Sequence, residues 1–343
     1  MTPLMEADDL AVDYQAPGRR VRALDGVDLT VARGETVGIV GESGSGKSTL
    51  GSAIGRLLSQ NAQLSHGALT IDGESLFDLS AVQMRRVRRE KLGFVFQDPI
   101  GSLDPTKRVG AQLRLALRGR GASLDVTGQL ERVRLADPRR IARAYPHQLS
   151  GGMAQRVAIA MAMATEPELL VADEPTAALD SQVRDDVSTM IFALAAEAGT
   201  SILWLSHDLA AVGRRCGRVA VMYGGRVVED GPASEVLARP AHPYTHALAN
   251  SAPASAAPGE RLQPVPGRPP VLTGPSPGCA FADRCGFAIE RCRSERPRPV
   301  RIKAQSVLCH RAEELAGSAA LAVHGVGSAV ATTPPVPLGG DRS

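Results

Sequence analysis

Residues Gly41-Glu42-Ser43-Gly44-Ser45-Gly46-Lys47-Ser48 follow a short apolar run, Thr36 to Val40, and open a helical run through Leu50, Ile54 and Leu57. In a strand, G-x-x-x-x-G-K-S, helix arrangement the glycines let backbone amides curl around phosphate oxygens at a helix N-terminus. Lys47 is then placed to reach the β and γ phosphates of a nucleotide, and the Ser48 hydroxyl to ligate Mg²⁺. Gly41, Ser43, Gly44, Gly46 and Thr49 complete this nucleotide-binding loop. A loop that is merely glycine-rich and flexible is the bland alternative, and strand, Lys and Ser all falling in place argue against it.

The rest of the chain alternates in the same way. Val27 to Val31, Leu69 to Ile71, Leu92 to Phe96, Leu169 to Ala172 and Ile202 to Leu205 read as strands, and stretches with helical periodicity separate several of them. Alternation of this kind implies a mostly parallel sheet covered on both faces, an α/β fold with a P-loop NTPase core. Between Asp98 and Tyr145 the strand signals vanish and helix formers take over, which reads as a helical insertion. Gly224 to Gly231 suggests a hairpin closing the core. Pro253 to Pro277 is rich in Pro, Ala and Gly and reads as a linker. A cysteine-bearing module follows, and Gly317 to Ser343, poor in charge and without period, is expected to be disordered.

Composition limits the functions open to such a chain. Its 343 residues, 43% of them hydrophobic, hold one large domain plus an extension, or two domains at ~100 to 200 residues each. Lys+Arg 39 against Asp+Glu 36 gives a formal net charge of +3, which argues against nucleic acid held by bulk electrostatics. No stretch approaches the ~18 apolar residues of a membrane helix, and Met1 to Leu10 lacks a basic and an apolar region. The expectation is a chain that neither spans a membrane nor is secreted. Arg85 to Lys91 is a basic run best read as a solvated helix face.

A magnesium site needs a carboxylate besides Ser48, and the apolar run Leu169 to Ala172 ends in Asp173-Glu174. Asp173 is the candidate metal ligand and Glu174 the candidate general base for an attacking water, which makes hydrolysis a better reading than binding alone. A second anion site starts at Ser150-Gly151-Gly152-Met153, where Ser150 is a natural N-cap and two glycines leave amides open. One nucleotide has no use for two phosphate cradles in a single small domain. A head-to-tail pair of ATPase domains, each covering the partner's nucleotide, resolves this.

With these motifs the chain resembles the ATP-binding subunits of ABC transporters, in particular the peptide-importer group (oligopeptide, dipeptide and nickel systems). The resemblance covers about Leu10 to His310. Besides the loop and Leu149 to Met153, it rests on Phe96-Gln97-Asp98-Pro99, Ser102-Leu103-Asp104-Pro105 and Asp173-Glu174-Pro175-Thr176. Ala178-Leu179-Asp180, Ser206-His207-Asp208 and His242-Pro243-Tyr244-Thr245 complete it. It implies a RecA-like core with an antiparallel β subdomain and a helical subdomain (98–165) inside an ATPase domain (1–250), then a linker (251–277), a C-terminal module (278–312) and a tail (313–343). Gln97 would contact Mg²⁺ and the attacking water, His207 the γ phosphate, and Asp180 the dimer face. Tyr14 would stack on adenine; the alternative is a half-buried strand residue. The implied partners are two transmembrane permease subunits, a second ATP-binding subunit that is either a copy or a relative, and an extracellular solute-binding protein. The implied location is the cytoplasmic face of the cell membrane, as a peripheral subunit. ABC-type ATPases that act on ribosomes or DNA are the competing class, but they carry paired ATPase domains or coiled-coil arms, and this chain has one P-loop and no sustained heptads.

Cys279, Cys285, Cys292 and Cys309 are spaced C-x5-C-x6-C-x16-C. Four thiols in a small polar module suit an Fe-S cluster or Zn²⁺, with reduced thiols or an occasional disulfide as the remaining alternative. The absence of short C-x2-C or C-x4-C knuckles tilts the reading toward iron and sulfur. The module resembles the C-terminal extension of peptide-importer ATPases, which associates these cysteines with a [4Fe-4S] cluster in some members. Cys216 stands apart and is expected to be an inert buried thiol.

Overall fold

A computed structural model describes residues 2–118, 125–177, 179–251 and 264–321 and arranges them around two sheets. Strands β1 (Met5–Ala16), β2 (Arg19–Val31), β4 (Ala62–Ile71) and β5 (Glu74–Ser75) form an antiparallel sheet in the order β2-β1-β4-β5. The larger sheet is built from β3 (Thr36–Val40), β6 (Leu92–Val95), β7 (Leu169–Asp173), β8 (Ser201–Ser206), β9 (Arg218–Tyr223), β10 (Arg226–Pro232), β11 (Val300–Ile302) and β12 (Gln305–Val307). Their order is β11-β12-β10-β9-β3-β8-β7-β6, parallel from β9 to β6 and antiparallel in the remaining pairs.

The parallel strands are buried on both faces, so their sequences are unbroken apolar runs rather than alternating ones. Val37, Ile39, Val171, Leu203, Leu205 and Met222 pack under the antiparallel sheet with Leu50 and Ile54 of α1 (Lys47–Ile54). Their neighbours Val40, Leu170, Ala172, Ile202, Trp204 and Val221 point to the opposite face. There they meet side chains from α3 (Val109–Leu117), α4 (Val126–Arg132), α5 (Pro138–Arg143), α6 (Gly151–Ala162) and α7 (Ser181–Ala198). The short helix α8 (Leu209–Gly213) and helices α9 (Ala233–Ala238) and α10 (Pro243–Asn250) extend this layer, while α2 (Ala81–Glu90) belongs to the first face.

The expected strands at Val27–Val31 and Leu69–Ile71 are the ends of the much longer β2 and β4, and β6 stops one residue short of Phe96. The helical insertion after Asp98 contains α3, α4 and α5, and the hairpin at Gly224 joins β9 to β10. Residues 252–263 of the expected linker and 322–343 of the expected tail lie outside the described residues, as does Ala178. The C-terminal module carries the short helices α11 (Glu290–Ser294) and α12 (Ala312–Leu315), and its hairpin β11–β12 joins the large sheet by pairing Val307 with Glu229 of β10.

Charged residues interrupt the apolar pattern of β1 and β2 because several are buried there as a network. Arg22 donates to both carboxylate oxygens of Asp13, at 2.9 and 3.1 Å, and to Asp25 at 3.2 Å. Asp25 is fully buried and also accepts from Arg226 at 2.6 Å, Arg296 at 2.9 Å and the Ser276 N–H at 3.2 Å. One carboxylate thus ties β2, β10 and the segment entering the C-terminal module. Removing it leaves the buried Arg226 guanidinium without a counter-charge, which typically costs about 3–5 kcal/mol. Urea unfolding of Asp25→Ala is expected to show a loss of that order, whereas Asp28→Ala on the exposed face of the same strand stays close to the parent.

Candidate functional site

Geometry requires two of the glycines of the phosphate loop. A Cβ on Gly41 would fall 2.2 Å from the Met222 carbonyl oxygen, and one on Gly46 2.7 Å from that of Ala23. Gly46 also adopts a φ of 108°, open to glycine but not to other residues. It occupies the N-cap of α1 without any side-chain hydrogen bond, so the first amides of that helix have no capping partner. Ser43 and Gly44 are exposed at the loop tip. The Lys47 ammonium curls back to the Gly41 and Glu42 carbonyls at 2.7 and 3.0 Å. Burial pulls its pKa down, against the opposing pull of Glu174, Asp173 and Glu42.

Asp173 ends β7 beside the Ser48 hydroxyl. Its Oδ1 is buried without a hydrogen-bond partner, and burial holds the carboxyl above the usual range while the Ser48 hydroxyl opposes the shift. A hydroxyl and an unsatisfied carboxylate oxygen beside a phosphate loop are the donor set that suits a hard cation such as Mg²⁺.

Glu174 follows in a left-handed backbone conformation with φ 44°, held by its N–H donating to the Leu205 carbonyl at 3.0 Å. Its carboxylate is 3.4 Å from the Gln97 side-chain nitrogen and 3.1 Å from His207 Nδ1. The three residues expected to act on water and the γ phosphate therefore lie together at the C-terminal ends of β6, β7 and β8. Tyr14 is half-buried on β1, with its hydroxyl 3.4 Å from Thr49 Oγ1.

Ser150, Gly151, Gly152 and Met153 form the start of α6. Ser150 caps α6 by accepting from the Met153 N–H at 3.3 Å, and a Cβ on Gly151 or Gly152 would meet nothing within 4 Å. Asp180 is exposed and caps α7 by accepting from the Val183 N–H at 3.0 Å.

The four clustered cysteines line one pocket with His242, Phe281 and His310. Burial, reinforced by the neighbouring cysteines, pushes the thiols of Cys279 and Cys309 up to about 11. All five cysteines are unpaired, and among the described residues no three His, Cys, Asp or Glu side chains converge as a metal-holding set. Two participants escaped the sequence reading. Glu42, inside the loop, is held by Arg284 from the C-terminal module and by the Tyr244 hydroxyl. The only sequence signal was a lone arginine directly before Cys285.

A profile of the family described as "ABC transporter" matches residues 24–177, and one described as "Oligopeptide/dipeptide transporter, C-terminal region" matches 228–292. A probable peptide ABC transporter ATP-binding protein of Sinorhizobium fredii is 44% identical over 302 residues, 86% of this chain and 90% of that protein. The chain belongs to this family of peptide ABC transporter ATP-binding proteins. The oligopeptide transport ATP-binding protein OppD of Salmonella typhimurium is 39% identical over 86% of this chain and 89% of its own length. Among solved structures, an ATP-binding cassette in a dimeric post-hydrolysis state bound to ADP and Pi is similar with a TM-score of 0.59 and 31% identity. That match covers 67% of this chain and 98% of the other. Like the rest of its family, the chain is an ATP-binding and ATP-hydrolysing transporter subunit. Among the described residues no helix is long and apolar enough to cross a membrane.

Cys216 is buried and its thiol is pushed up to about 12 by burial. Such a thiol stays protonated and unreactive. Brief treatment of the native protein with N-ethylmaleimide at pH 8, read by peptide mass spectrometry, is expected to leave Cys216 unmodified and to label it only after denaturation.

Proposed function

We propose that two ATPase subunits of this kind close head to tail over ATP and thereby drive a peptide-type importer. Each covers the other's phosphate loop with the helix start at Ser150 to Met153. The observation that carries this reading is the open space around Gly151 and Gly152. Packing within the chain gives no reason for glycine at either position, whereas an anion delivered by a neighbour does, because it needs close approach to free amides. The second subunit is either a copy of this chain or a relative, since acid and signature elements are both intact here.

In this reading Gly41, Ser43, Gly44, Gly46, Lys47, Ser48 and Thr49 hold the triphosphate, and Tyr14 lies against the adenine. Ser48, Asp173 and Gln97 would hold Mg²⁺, which when bound neutralises charge on the β and γ phosphates. Glu174 accepts a proton from water as the water oxygen attacks the γ phosphorus, and the bond to the ADP oxygen breaks. His207 steadies the Glu174 carboxylate and reaches the γ phosphate, and Asp180 lies at the dimer face. Loss of the γ phosphate weakens the shared contacts, so binding closes the pair and hydrolysis opens it. Two permease subunits in the membrane follow this motion, and a solute-binding protein delivers the cargo, a peptide or nickel, from outside. The chain itself rests on the cytoplasmic face as a peripheral subunit.

Among the described residues no three of the C-terminal thiols converge as a metal-holding set, so the reading of this module rests on the four cysteines lining one pocket and on the suitability of four thiols for a thiolate-liganded group. We assign Cys279, Cys285, Cys292 and Cys309 as ligands of an iron-sulfur cluster, with Zn²⁺ as the alternative. Protein purified without oxygen is expected to contain iron and acid-labile sulfide near four each per chain, the composition of a [4Fe-4S] cluster. Metal-free protein would remove the assignment.

Glu174→Gln tests the ATPase part. The variant is expected to bind MgATP with affinity similar to the parent, to lose at least about 100-fold in turnover, the scale of general-base catalysis, and to accumulate as an ATP-bound dimer in size-exclusion chromatography. Turnover close to the parent would take Glu174 out of the role of base.

A further inference from the structure

The Glu42 N–H and carboxylate are held from outside the phosphate loop, while its carbonyl is held within it, by the Ser45 N–H at 3.2 Å as well as by Lys47. Its N–H donates to the Tyr244 hydroxyl at 2.8 Å, its carbonyl accepts from the Lys47 ammonium at 3.0 Å, and its carboxylate accepts from Arg284 Nη1 at 2.6 Å and Nη2 at 3.1 Å. Arg284 reaches the loop across 242 residues of sequence. It is itself tightly placed. Its side chain is buried, lies over the rings of Tyr223 and Phe281 at 5.6 and 5.8 Å, and donates further to the Tyr223 hydroxyl and to the carbonyls of Val265 and Pro266. All its N–H groups thus have acceptors, so the guanidinium is an anchored part rather than a surface charge that happens to lie near a carboxylate.

We propose that Arg284 is a positioning residue for the phosphate loop. It fixes the first turn of the loop through Glu42, and it cancels the Glu42 carboxylate next to the place where the polyanionic triphosphate binds. Both contributions favour ATP binding and neither touches the reacting atoms, so affinity should respond more than turnover. The same arginine precedes Cys285, and Phe281, Cys285 and His242 all line the cysteine pocket. The C-terminal module therefore shapes the nucleotide site of its own subunit. This inference rests on the reading of residues 41–49 as the ATP site.

The test uses the full chain, with MgATP binding titrated calorimetrically and turnover measured in parallel. Arg284→Gln is expected to raise both Kd and KM for ATP about tenfold, within the range of typical couplings between distinct sites, while kcat changes less than about threefold. Arg284→Lys should recover most of the affinity. Adding Glu42→Gln to Arg284→Gln should also recover part of it, because the uncompensated carboxylate is gone. An unchanged Kd in Arg284→Gln, or losses that simply multiply in the double variant, would overturn the proposal. Should Arg284→Gln fail to fold, Glu42→Asp shortens the clasp from the loop side: a rise in Kd supports the proposal, and no change overturns it. Parent protein that binds no ATP would count against the nucleotide site itself, an outcome distinct from both.

Discussion

A helix start without a cap is the constraint around which this protein is organised. The first amides of α1 find no side-chain acceptor, and exposed donors of this kind are stable only where an anion or water answers them. The sheet holds that start in place. β3 lies between β8 and β9, Gly41 is pressed against the Met222 carbonyl of β9, and Gly46 against the Ala23 carbonyl of β2. Because β3, β6, β7 and β8 run parallel, their C-terminal ends fall along one edge. The loop, Gln97, Asp173, Glu174 and His207 meet there without further devices, which is the general place for ligands in open α/β sheets.

Buried charge does a second kind of work. The apolar packing of the C-terminal segment, through Phe281 in the main core and a small cluster of Ala241, Val307 and Ala312, is not directional. Asp25 and Glu42 instead give that segment two fixed points, one under Arg296 and Ser276 and one under Arg284. Buried ion pairs are poor sources of net stability, and in some proteins they specify one geometry over its neighbours. Here the geometry so specified includes the phosphate loop.

The legible part of the sequence was the part whose physics is local. The loop glycines, the apolar run ending in Asp173-Glu174 and the Ser150 cap each follow from a few adjacent residues, and the hairpin at Gly224-Gly225 from its turn. The antiparallel strands were only partly visible. β1 and β2 interleave Asp13, Arg22 and Asp25 with apolar residues, and nothing local says that these charges are paired inside rather than solvated outside. Pairings between distant segments were not readable at all. The addition of β12 to β10 and the bond from Arg284 to Glu42 depend on chain segments far apart in sequence, and no periodicity records them.

The two adjacent acids show how much one backbone residue contributes to a site. In a continuing strand, Asp173 and Glu174 would point to opposite faces of the sheet. Glu174 instead takes a left-handed φ of 44°, a conformation that costs a non-glycine residue about 1–2 kcal/mol. The turn lets Asp173 face Ser48 while Glu174 faces Gln97 and His207. Glutamate at this position is not there for the backbone, since glycine or asparagine would adopt the same turn with less strain. The strain persists because the Glu174 N–H is held by the Leu205 carbonyl and the strand before it is buried on both sides. A residue kept in an unfavourable conformation, with its carboxylate shared between two side chains from neighbouring strands, is what the role of base proposed for Glu174 requires.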